Sequence, residues 1–381
     1  MRIVLDARWI FEQISGIGCY TRELIRELAH VDRENEYLLL FEHRHLADRT
    51  QAETGFNAAP NIQVKHAPCG LFSARNQRWL RAFLDEHHAR VYHAPNYMIP
   101  LFRFPRGRAG HVRCVTTIHD VIPLALPNHA PRSRKTRLLP LYRRLMKEVG
   151  TRSDFIITVS DFSRQDTIQH LAIPSERAGR VVRVYNGVNP LFHPPAIPVE
   201  PGTQEILYVG RFDPYKELVT LVEAFAQLRQ SGLRARLRVI GPPDPRYPEP
   251  HERARALGLE ELISWSGYLS NEELRAAYQR AAVFVLPSSY EGFGLPVLEA
   301  MACGTPVVCS NATSLPEVAG DAALLVEPGQ SAPLADAIRR VLTDKALADD
   351  LRTRGLHHAK AFTWKRAAQE TVDIYRRADA L

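Results

Sequence analysis

The feature that most constrains the fold of this chain is the stretch 282–309, where two short apolar runs flank a glycine-containing loop and a helix-like segment. The runs at 282–287 and 305–309 predict two buried strands. Between them, Pro296 suits a first helical position and Gly304 suits the residue just past a helix end. Strand, loop, helix and strand in this order predict a parallel α/β sheet.

The loop 291–295 between these elements has the composition of an anion-binding site. It would lie at the carboxyl end of a strand, where open α/β sheets bind ligands, and it feeds a helix N-terminus with free N–H groups. Glu291 and Glu299 bracket the loop, with seven residues between them. Two carboxylates beside such a loop suit a ligand with hydroxyl groups next to phosphate. Glu299 also suits a purely structural role, because a carboxylate near a helix start complements the helix dipole.

A family resemblance rests on these residues. The Glu291 to Glu299 spacing, with Gly-Phe-Gly-Leu-Pro inside it and Glu-Ala-Met-Ala-Cys-Gly-Thr-Pro-Val-Val at its end, resembles the E-x7-E motif of retaining glycosyltransferases of family 4. The resemblance implies an α/β fold of two Rossmann-like domains facing an interdomain cleft, the glycosyltransferase B fold, and a nucleotide-sugar donor. It implies that Glu291 binds the sugar hydroxyls, that Glu299 binds the ribose diol, and that the loop contacts the donor through Gly292, Phe293, Gly294 and Leu295.

Composition and charge agree with such a protein. With 381 residues, 45% hydrophobic and 24% charged, the chain is long enough for two domains with separate cores, and we expect a soluble globular protein. The net charge of +7 favours anionic partners, namely nucleotide phosphates, an acidic membrane surface or nucleic acid. The sequence has no zinc, RNA-recognition or helix-turn-helix signature, so we expect no nucleic-acid partner.

The cysteines and the apolar segments bear on the compartment. The five cysteines are scattered and form no C-x-x-C pair, which disfavours a disulfide framework or a zinc site and fits a reducing cytosol. No signal-peptide core opens the sequence, and no apolar segment approaches the roughly 18 residues that span a bilayer. We therefore expect a cytoplasmic protein.

A cluster of prolines marks the expected domain boundary. The five prolines at positions 190, 194, 195, 198 and 201 are too many for a helix or a central strand. We expect an N-terminal acceptor domain at 1–189, a linker at 190–204, a donor domain at 205–364 and a terminal helix at 365–381. The resemblance implies that this last helix crosses back to the first domain.

Two glycines follow the first predicted strand. Gly16 and Gly18 are expected in a loop that ends where a helix begins, at 21–30, because apolar residues recur there at helical spacing. Thr21 stands where a dinucleotide fingerprint would have a third glycine, so that motif is not predicted. A tight turn with positive φ explains both glycines equally well. By resemblance, Gly16 and Gly18 approach the donor phosphates or the acceptor.

A histidine and an aspartate follow the predicted strand 114–118. His119 and Asp120 would lie at the carboxyl end of this strand, where a functional role is favoured over the structural role that most histidines have. The pair also resembles the family's, in which the histidine lies beside the reacting sugar and contacts its 6-hydroxyl.

Two cations follow the first strand of the predicted second domain. Arg211 and Lys216 come directly after the strand 205–210 and suit a diphosphate leaving group, arginine through its planar fork and lysine as a point charge. They resemble the family's Gly-Arg-x5-Lys segment, although Glu217 occupies a place where the family commonly has glycine. Tyr268, in the loop after the strand 262–266, is expected beside the nucleotide base.

The reaction follows from these groups. Breaking a sugar–phosphate bond places negative charge on the phosphate, which Arg211, Lys216 and the amides near Gly294 would stabilise. No Asp-x-Asp pair stands in a convincing loop, so we predict no metal and no cofactor. No residue declares itself as a covalent nucleophile, which favours same-face transfer with retained configuration.

The resemblance is greatest to mannosyltransferases of bacterial polysaccharide synthesis, in 117–124 and 291–296. This favours transfer of mannose from GDP-mannose to a glycan or polyprenyl-linked glycan. The alternatives are a UDP-sugar transferase, a nucleotide-sugar epimerase and a non-catalytic nucleotide-sugar-binding protein.

The segment 132–147 combines seven basic residues with apolar residues at near-helical spacing. It suits either a solvated helix with its apolar face in the core or a helix on an anionic membrane surface. In the second case, the protein would be peripheral at the inner membrane.

Overall fold

The structure, a computed structural model, describes residues 1–14, 16–107, 110–128, 131–132, 138–196 and 204–381. The chain folds into two units, each built on a parallel sheet. Their described residues fall within Met1–Ala125, Leu138–Gly187 and Thr363–Leu381 for the first unit, and within Leu126–Arg137 and Val188–Phe362 for the second.

A seven-stranded sheet forms the centre of the first unit. Its strands are β1 (Arg2–Asp6), β2 (Glu36–Phe41), β3 (Ile62–His66), β4 (Val91–Ala94), β5 (Arg113–Ile118), β6 (Phe155–Thr158) and β7 (Val181–Arg183). They lie in the order β3-β2-β1-β4-β5-β6-β7. Strands β4 and β6 are buried along their whole length, as expected of parallel strands covered on both faces. The strand order reverses between β1 and β4, which is the kind of position at which open α/β sheets bind ligands.

In the described part of the chain, six helices that precede the second unit's sheet in sequence flank these strands. They are α1 (Gly16–Val31), α2 (Arg44–Thr54), α3 (Ala74–Glu86), α4 (Ile122–Ala125), α5 (Leu139–Arg152) and α6 (Asp161–His170). Ser160 caps α6, because its side chain accepts a hydrogen bond from the Ser163 N–H, as its position after a strand predicts.

The second unit repeats this architecture around six strands. They are β8 (Gln204–Val209), β9 (Ala235–Ile240), β10 (Ile263–Ser266), β11 (Val283–Leu286), β12 (Val307–Ser310) and β13 (Ala323–Val326), in the order β10-β9-β8-β11-β12-β13. The helices are α7 (Leu218–Gln230), α8 (Glu249–Ala256), α9 (Asn271–Arg280), α10 (Leu295–Ala302), α11 (Leu315–Ala319), α12 (Ser331–Thr343) and α13 (Lys345–Ala359). Here the order reverses between β8 and β11, which brings together the loops that follow these two strands.

The last helix, α14 (Trp364–Asp379), belongs to the first unit. Its buried residues Trp364, Ala368 and Tyr375 share a hydrophobic core with Leu5 and Tyr20. Gly187, the last residue of the first unit before the chain leaves it, lies so close to the start of this helix that an added Cβ would stand 2.0 Å from the Trp364 nitrogen.

Several predicted elements are confirmed, and others were missed. The stretch 282–309 forms β11, α10 and β12, with α10 beginning one residue before Pro296 and Gly304 following its C-cap at φ +77°. The sequence did not predict α2 or β3. In the proline-rich stretch, residues 197–203 lie outside the described residues.

Candidate active site

The loop after β11 is held by the segment that precedes α11. The Glu291 N–H donates to Thr313 Oγ1 at 2.9 Å, and Ser314 Oγ, with its single O–H donor, lies 2.9 Å from the Glu291 carbonyl oxygen and 3.0 Å from the Phe293 carbonyl oxygen. Ser314 is fully buried. Thr313 has φ +55°, a left-handed conformation that is uncommon for threonine, and it is the residue that receives the Glu291 N–H. The backbone of the loop is therefore fixed before any ligand arrives.

Gly294 gives this loop its shape. It is the N-cap of α10 with φ +104° and ψ 44°, and an added Cβ would stand 2.6 Å from Leu315 Cδ2. Both the backbone conformation and the close side chain require glycine. As a glycine, Gly294 has no side chain to cap the helix. Pro296 has no N–H, and the Val297 N–H donates to the Gly294 carbonyl at 2.9 Å. Among the described residues, the Leu295 N–H at the start of α10 therefore remains as a donor suited to an anion.

Lys216 and Glu291 meet across the two loops that the reversed strand order brings together. Lys216 Nζ donates to Glu291 Oε1 at 2.6 Å, and each side chain is 13% exposed. The Ser289 N–H donates to the Tyr215 carbonyl at 2.8 Å and thereby joins the two loops through their backbones. Among the described residues, Glu291 Oε2 has no hydrogen-bond partner, so this oxygen can accept from a ligand hydroxyl.

Glu217 resolves the turn where the sequence departs from the family pattern. It adopts the left-handed conformation, with φ +56°, that glycine would adopt without strain. Its carboxylate accepts from Thr220 Oγ1 at 2.8 Å and so bridges to the first turn of α7. The Lys216 turn is therefore kept although glycine is absent.

Arg211 is held by a buried carboxylate. Its Nε lies 2.7 Å from Asp213 Oδ2 and its Nη2 lies 3.1 Å from Asp213 Oδ1, while Asp213 is only 3% exposed. The Arg211 side chain itself is 61% exposed. A guanidinium has five N–H donors, so this bidentate pair leaves three of them for a phosphate.

Glu299 lies on α10, one turn beyond the helix start, and contacts a buried tyrosine. Tyr278 Oη donates to Glu299 Oε2 at 2.9 Å. Burial raises the pKa of Glu299 to about 7, and the Tyr278 hydrogen bond opposes this shift. The carboxyl group therefore changes charge near neutral pH.

In the first unit, His119 follows β5 and is fixed by the residue that follows β4. Its Nε2 lies 3.0 Å from the Pro95 carbonyl, which can only accept, so Nε2 carries the proton. Burial lowers the pKa of His119 to about 4, so the imidazole is neutral at pH 7. Nδ1 is then an acceptor, and it has no partner among the described residues. Asp120 Oδ1 accepts from the Ile122 N–H at 3.1 Å at the start of α4.

Comparison with known proteins identifies the family. The family model described as Glycosyltransferase Family 4 matches residues 14–191, and that described as Glycosyl transferases group 1 matches residues 193–358. The chain is 32% identical over 399 residues to O-antigen chain mannosyltransferase B of Escherichia coli, which covers 99% of this chain and 100% of that protein. The chain is a family 4 glycosyltransferase.

A further relative and a solved structure agree with this assignment. The glycosyltransferase is 28% identical to the MMP alpha-(1->4)-mannosyltransferase of Mycolicibacterium hassiacum, over 100% of this chain and 99% of that protein. It superimposes on the crystal structure of Anabaena HepE in complex with UDP-glucose with a TM-score of 0.75 and 18% identity, covering 100% of both chains. This structural likeness shows the glycosyltransferase B fold, as predicted.

Gly16 and Gly18 do not form the loop that the sequence predicted. Helix α1 begins at Gly16, five residues earlier than expected, and neither glycine has positive φ. An added Cβ on Gly18 would stand 3.1 Å from the Trp9 carbonyl oxygen, so glycine lets the helix start pass close to the turn after β1. The prediction failed because it began the helix at the first apolar periodicity, whereas the helix begins before it.

The remaining predicted residues of the glycosyltransferase lie as follows. Tyr268 is 64% exposed after β10, and Leu295 is the first residue of α10. Among the residues that the structure describes, no group of three or more His, Cys, Asp or Glu side chains could hold a metal ion. Within the same part of the chain, no helix combines the length and apolarity needed to cross a membrane.

Sequence reasoning missed the residues that hold the predicted ones in place. Asp213 holds Arg211, Tyr278 contacts Glu299, and Thr313 and Ser314 hold the glycine loop. Asp213 gave a usable signal, because a carboxylate two residues from an arginine at a strand end can form a bidentate pair. The other three are 21 to 23 residues from their partners and gave no local signal.

Proposed function

We propose that this glycosyltransferase transfers mannose from GDP-mannose to a glycan or polyprenyl-linked glycan with retention of configuration and without a metal ion or cofactor. The observation that carries the proposal is the contact of Lys216 with Glu291 at 2.6 Å. A cation that can bind phosphate thus lies directly beside a carboxylate that can accept from a sugar hydroxyl. A nucleotide sugar requires this combination, because its diphosphate is joined directly to the hexose. The names of two full-length relatives favour mannose.

Charge compensation explains how the second unit would bind the donor. When no nucleotide sugar is bound, the charge of Lys216 is compensated by Glu291 and that of Arg211 by Asp213. Neither cation is therefore left unpaired. A bound diphosphate would accept from the remaining donors of Arg211, from Lys216 and from the Leu295 N–H at the start of α10. Glu291 Oε2 would then accept from the hexose, and Glu299 from the ribose diol.

The chemical step depends on stabilising the departing phosphate. As the anomeric carbon–oxygen bond breaks, negative charge grows on the β-phosphate, where Lys216 and Arg211 are already in place. Loss of one preorganised hydrogen-bond donor at a developing negative charge costs about 3–4 kcal/mol. In the first unit, neutral His119 offers Nδ1 as an acceptor for a hydroxyl of the reacting hexose. The leaving phosphate would take the acceptor's proton on the same face.

The test is calorimetric titration with GDP, GDP-mannose, UDP and UDP-glucose in EDTA, on the parent and on Lys216→Ala. We expect the guanine nucleotides alone to bind, and Lys216→Ala to weaken GDP at least about tenfold, since charge-assisted bonds contribute about 1.5–3 kcal/mol. Lys345→Ala is the matched control, because this second-unit lysine is 88% exposed and, among the described residues, forms an ion pair with Asp349 alone. Equal GDP affinity in both variants would contradict the phosphate site.

A UDP-sugar transferase is the second candidate, and the superposition on HepE with UDP-glucose favours it. Binding of UDP and UDP-glucose without binding of the guanine nucleotides would establish it. Anomeric-proton NMR of products formed from the bound donor then separates transfer with retention from epimerisation, and the absence of any product indicates a binding protein.

We also propose that the basic segment 132–147 contacts an anionic membrane, with the protein cytoplasmic and peripheral. Residues 133–137 of this segment lie outside the described residues. Helix α5 buries Met146 and Val149 in the core, but Leu138 and Leu141 are 59% and 65% exposed beside the exposed Arg143 and Arg144. Exposed leucines next to arginines suit a lipid interface. Flotation with vesicles of phosphatidylglycerol should retain the protein, whereas recovery entirely in the unbound fraction would reject this contact.

A further inference from the structure

A chain of hydrogen-bonded side chains crosses the core of the first unit. Tyr375 Oη lies 2.6 Å from His93 Nδ1, His93 Nε2 lies 2.8 Å from Thr117 Oγ1, and Thr117 Oγ1 lies 3.0 Å from Tyr20 Oη. The four residues belong to α14, β4, β5 and α1, and none is more than 2% exposed. The site described above uses none of them.

The hydrogen bonds of this chain join side chains that are all uncharged. Burial lowers the pKa of His93 to about 3, so its imidazole is neutral, with one donor nitrogen and one acceptor nitrogen. Burial raises the pKa of Tyr20 to about 12, so its hydroxyl keeps its proton. The three bonds can therefore all point one way or all point the other way. Such a chain is rigid, because breaking one link leaves a buried polar group unpaired.

The Tyr20 end of the chain lies against His119. The two ring centroids are 4.7 Å apart with the planes at 82°, an edge-to-face contact. On another side of the imidazole, the Pro95 carbonyl fixes the tautomer at Nε2. Pro95 follows β4 directly, only two residues beyond His93. The same strand therefore anchors both groups that orient His119.

We propose that Tyr20 is a positioning residue for His119, and that the chain of Tyr375, His93 and Thr117 holds the Tyr20 ring in place. This inference rests on the proposed function, in which His119 Nδ1 accepts from the reacting hexose. An apolar core would bury these elements equally well, but it would not fix the rotation of the Tyr20 ring. Helix α14 therefore contributes, through Tyr375, to holding the His119 ring in place.

The test compares Tyr20→Leu, Tyr20→Phe and His93→Gln with the parent in donor turnover. We expect Tyr20→Leu to lower kcat about 10- to 100-fold, the range of a misplaced reacting group, with KM for the donor within about twofold. Tyr20→Phe keeps the ring but removes the hydroxyl through which Thr117 holds it, so it should lower kcat by an intermediate factor. His93→Gln should lower kcat by an intermediate factor. Calorimetric GDP affinity should be unchanged in all three variants, because the phosphate ligands belong to the second unit.

A spectroscopic readout separates positioning from stability. In protein labelled with 15N-histidine, the His119 signals, assigned with His119→Gln, should show protonated Nε2 and bare Nδ1 in the parent. Without the Tyr20 ring the imidazole can tilt away from the Pro95 carbonyl that fixes its tautomer, so Tyr20→Leu should show a mixture of tautomers. Tyr92→Phe is the matched control, because it removes a buried hydroxyl that donates to Asp6 Oδ2 at 2.7 Å in the separate core on the other face of the sheet. It should leave kcat and the His119 signals unchanged.

Two outcomes distinguish failure of the inference from failure of the proposed function. If His119→Gln lowers kcat but Tyr20→Leu leaves both kcat and the His119 tautomer unchanged, the positioning role is wrong and the proposed role of His119 stands. If His119→Gln leaves kcat unchanged, His119 does not act on the hexose and the proposed function of this residue is wrong.

Discussion

At the scale of the single residue, the charge of Glu299 near neutral pH is set by its surroundings. Burial raises the pKa of this carboxyl group to about 7, although Tyr278 Oη donates to it. The ionised form accepts hydrogen bonds from a ribose diol more strongly than the neutral form does. Nucleotide binding and ionisation of Glu299 are therefore coupled in the proposed site.

This coupling predicts a pH-dependent nucleotide affinity. GDP affinity should rise by about five- to tenfold as pH increases from 6 to 8, since a hydrogen bond to a charged acceptor exceeds a neutral one by about 1 kcal/mol. In Glu299→Gln, whose amide oxygen still accepts from Tyr278, the affinity should be lower at pH 8 and vary little with pH. Calorimetric titration in buffers of equal ionic strength measures both. A variant whose affinity follows the parent across this range would show that Glu299 does not contact the nucleotide.

Lys216 and Glu299 illustrate what the sequence can reveal about single residues. Arg211, Lys216, Glu291 and Glu299 stand at strand ends or helix starts with a characteristic spacing, so their place in the second unit could be predicted. Their partners Tyr278 and Thr313 could not, because such contacts depend on how distant segments pack. The backbone conformation of Glu217 could not be predicted from the sequence either, since only the structure reveals that this residue adopts φ +56°.

At the scale of the element, the start of α10 depends on one glycine. Gly294 combines φ +104° with a Leu315 methyl carbon 2.6 Å from the position of an added Cβ. We expect Gly294→Ala to lower the free energy of unfolding by about 2–3 kcal/mol. This value is the sum of the cost of placing alanine in a left-handed conformation and the cost of overpacking against Leu315. Because the loop must move, GDP affinity should fall as well. Urea unfolding followed by circular dichroism and calorimetric titration measure the two effects.

Gly258→Ala provides the control for this prediction. Gly258 also has positive φ, at +67°, but nothing lies within 4 Å of an added Cβ. Its substitution should cost about 1 kcal/mol from the backbone alone and leave GDP affinity unchanged. Equal stability losses in the two variants would mean that the Leu315 contact relaxes freely and does not hold the loop.

Element boundaries followed from the sequence where they had chemical signals. Pro296 and Gly304 marked the ends of α10 to within a residue because each restricts or frees the backbone at a helix terminus. Helix α1 begins at Gly16 without such a signal, and two glycines in its first turn favour a loop on propensity alone. Packing overrides that propensity, since Gly18 lies against the Trp9 carbonyl. Helix α2 was missed because only three of its eleven residues are apolar.

At the scale of the whole molecule, the two units carry buried titratable groups that change stability in opposite directions as pH falls. In the first unit, burial lowers the pKa of His93 to about 3 and that of His119 to about 4. In the unfolded protein these two histidines take up protons below about pH 6.5, whereas in the folded protein they do not. The free energy of unfolding therefore falls as pH falls. In the second unit, the pKa of Glu299 is raised to about 7. The folded form then holds a proton that the unfolded form has lost, so this contribution falls as pH rises from about 4.5 to 7.

These opposite signs predict that substitutions in the two units change the pH dependence of unfolding in opposite directions. Between pH 5 and 7, His93 should contribute about 2 kcal/mol that is lost on acidification, and Glu299 about 2 kcal/mol that is lost on raising the pH. His93→Gln should therefore make the protein less sensitive to acid, and Glu299→Gln should make it more sensitive, whatever either does to stability at pH 7. Calorimetric unfolding of the whole protein at pH 5, 6 and 7 measures both against the parent. If both variants follow the parent's pH dependence, neither group is as deeply desolvated as the structure indicates.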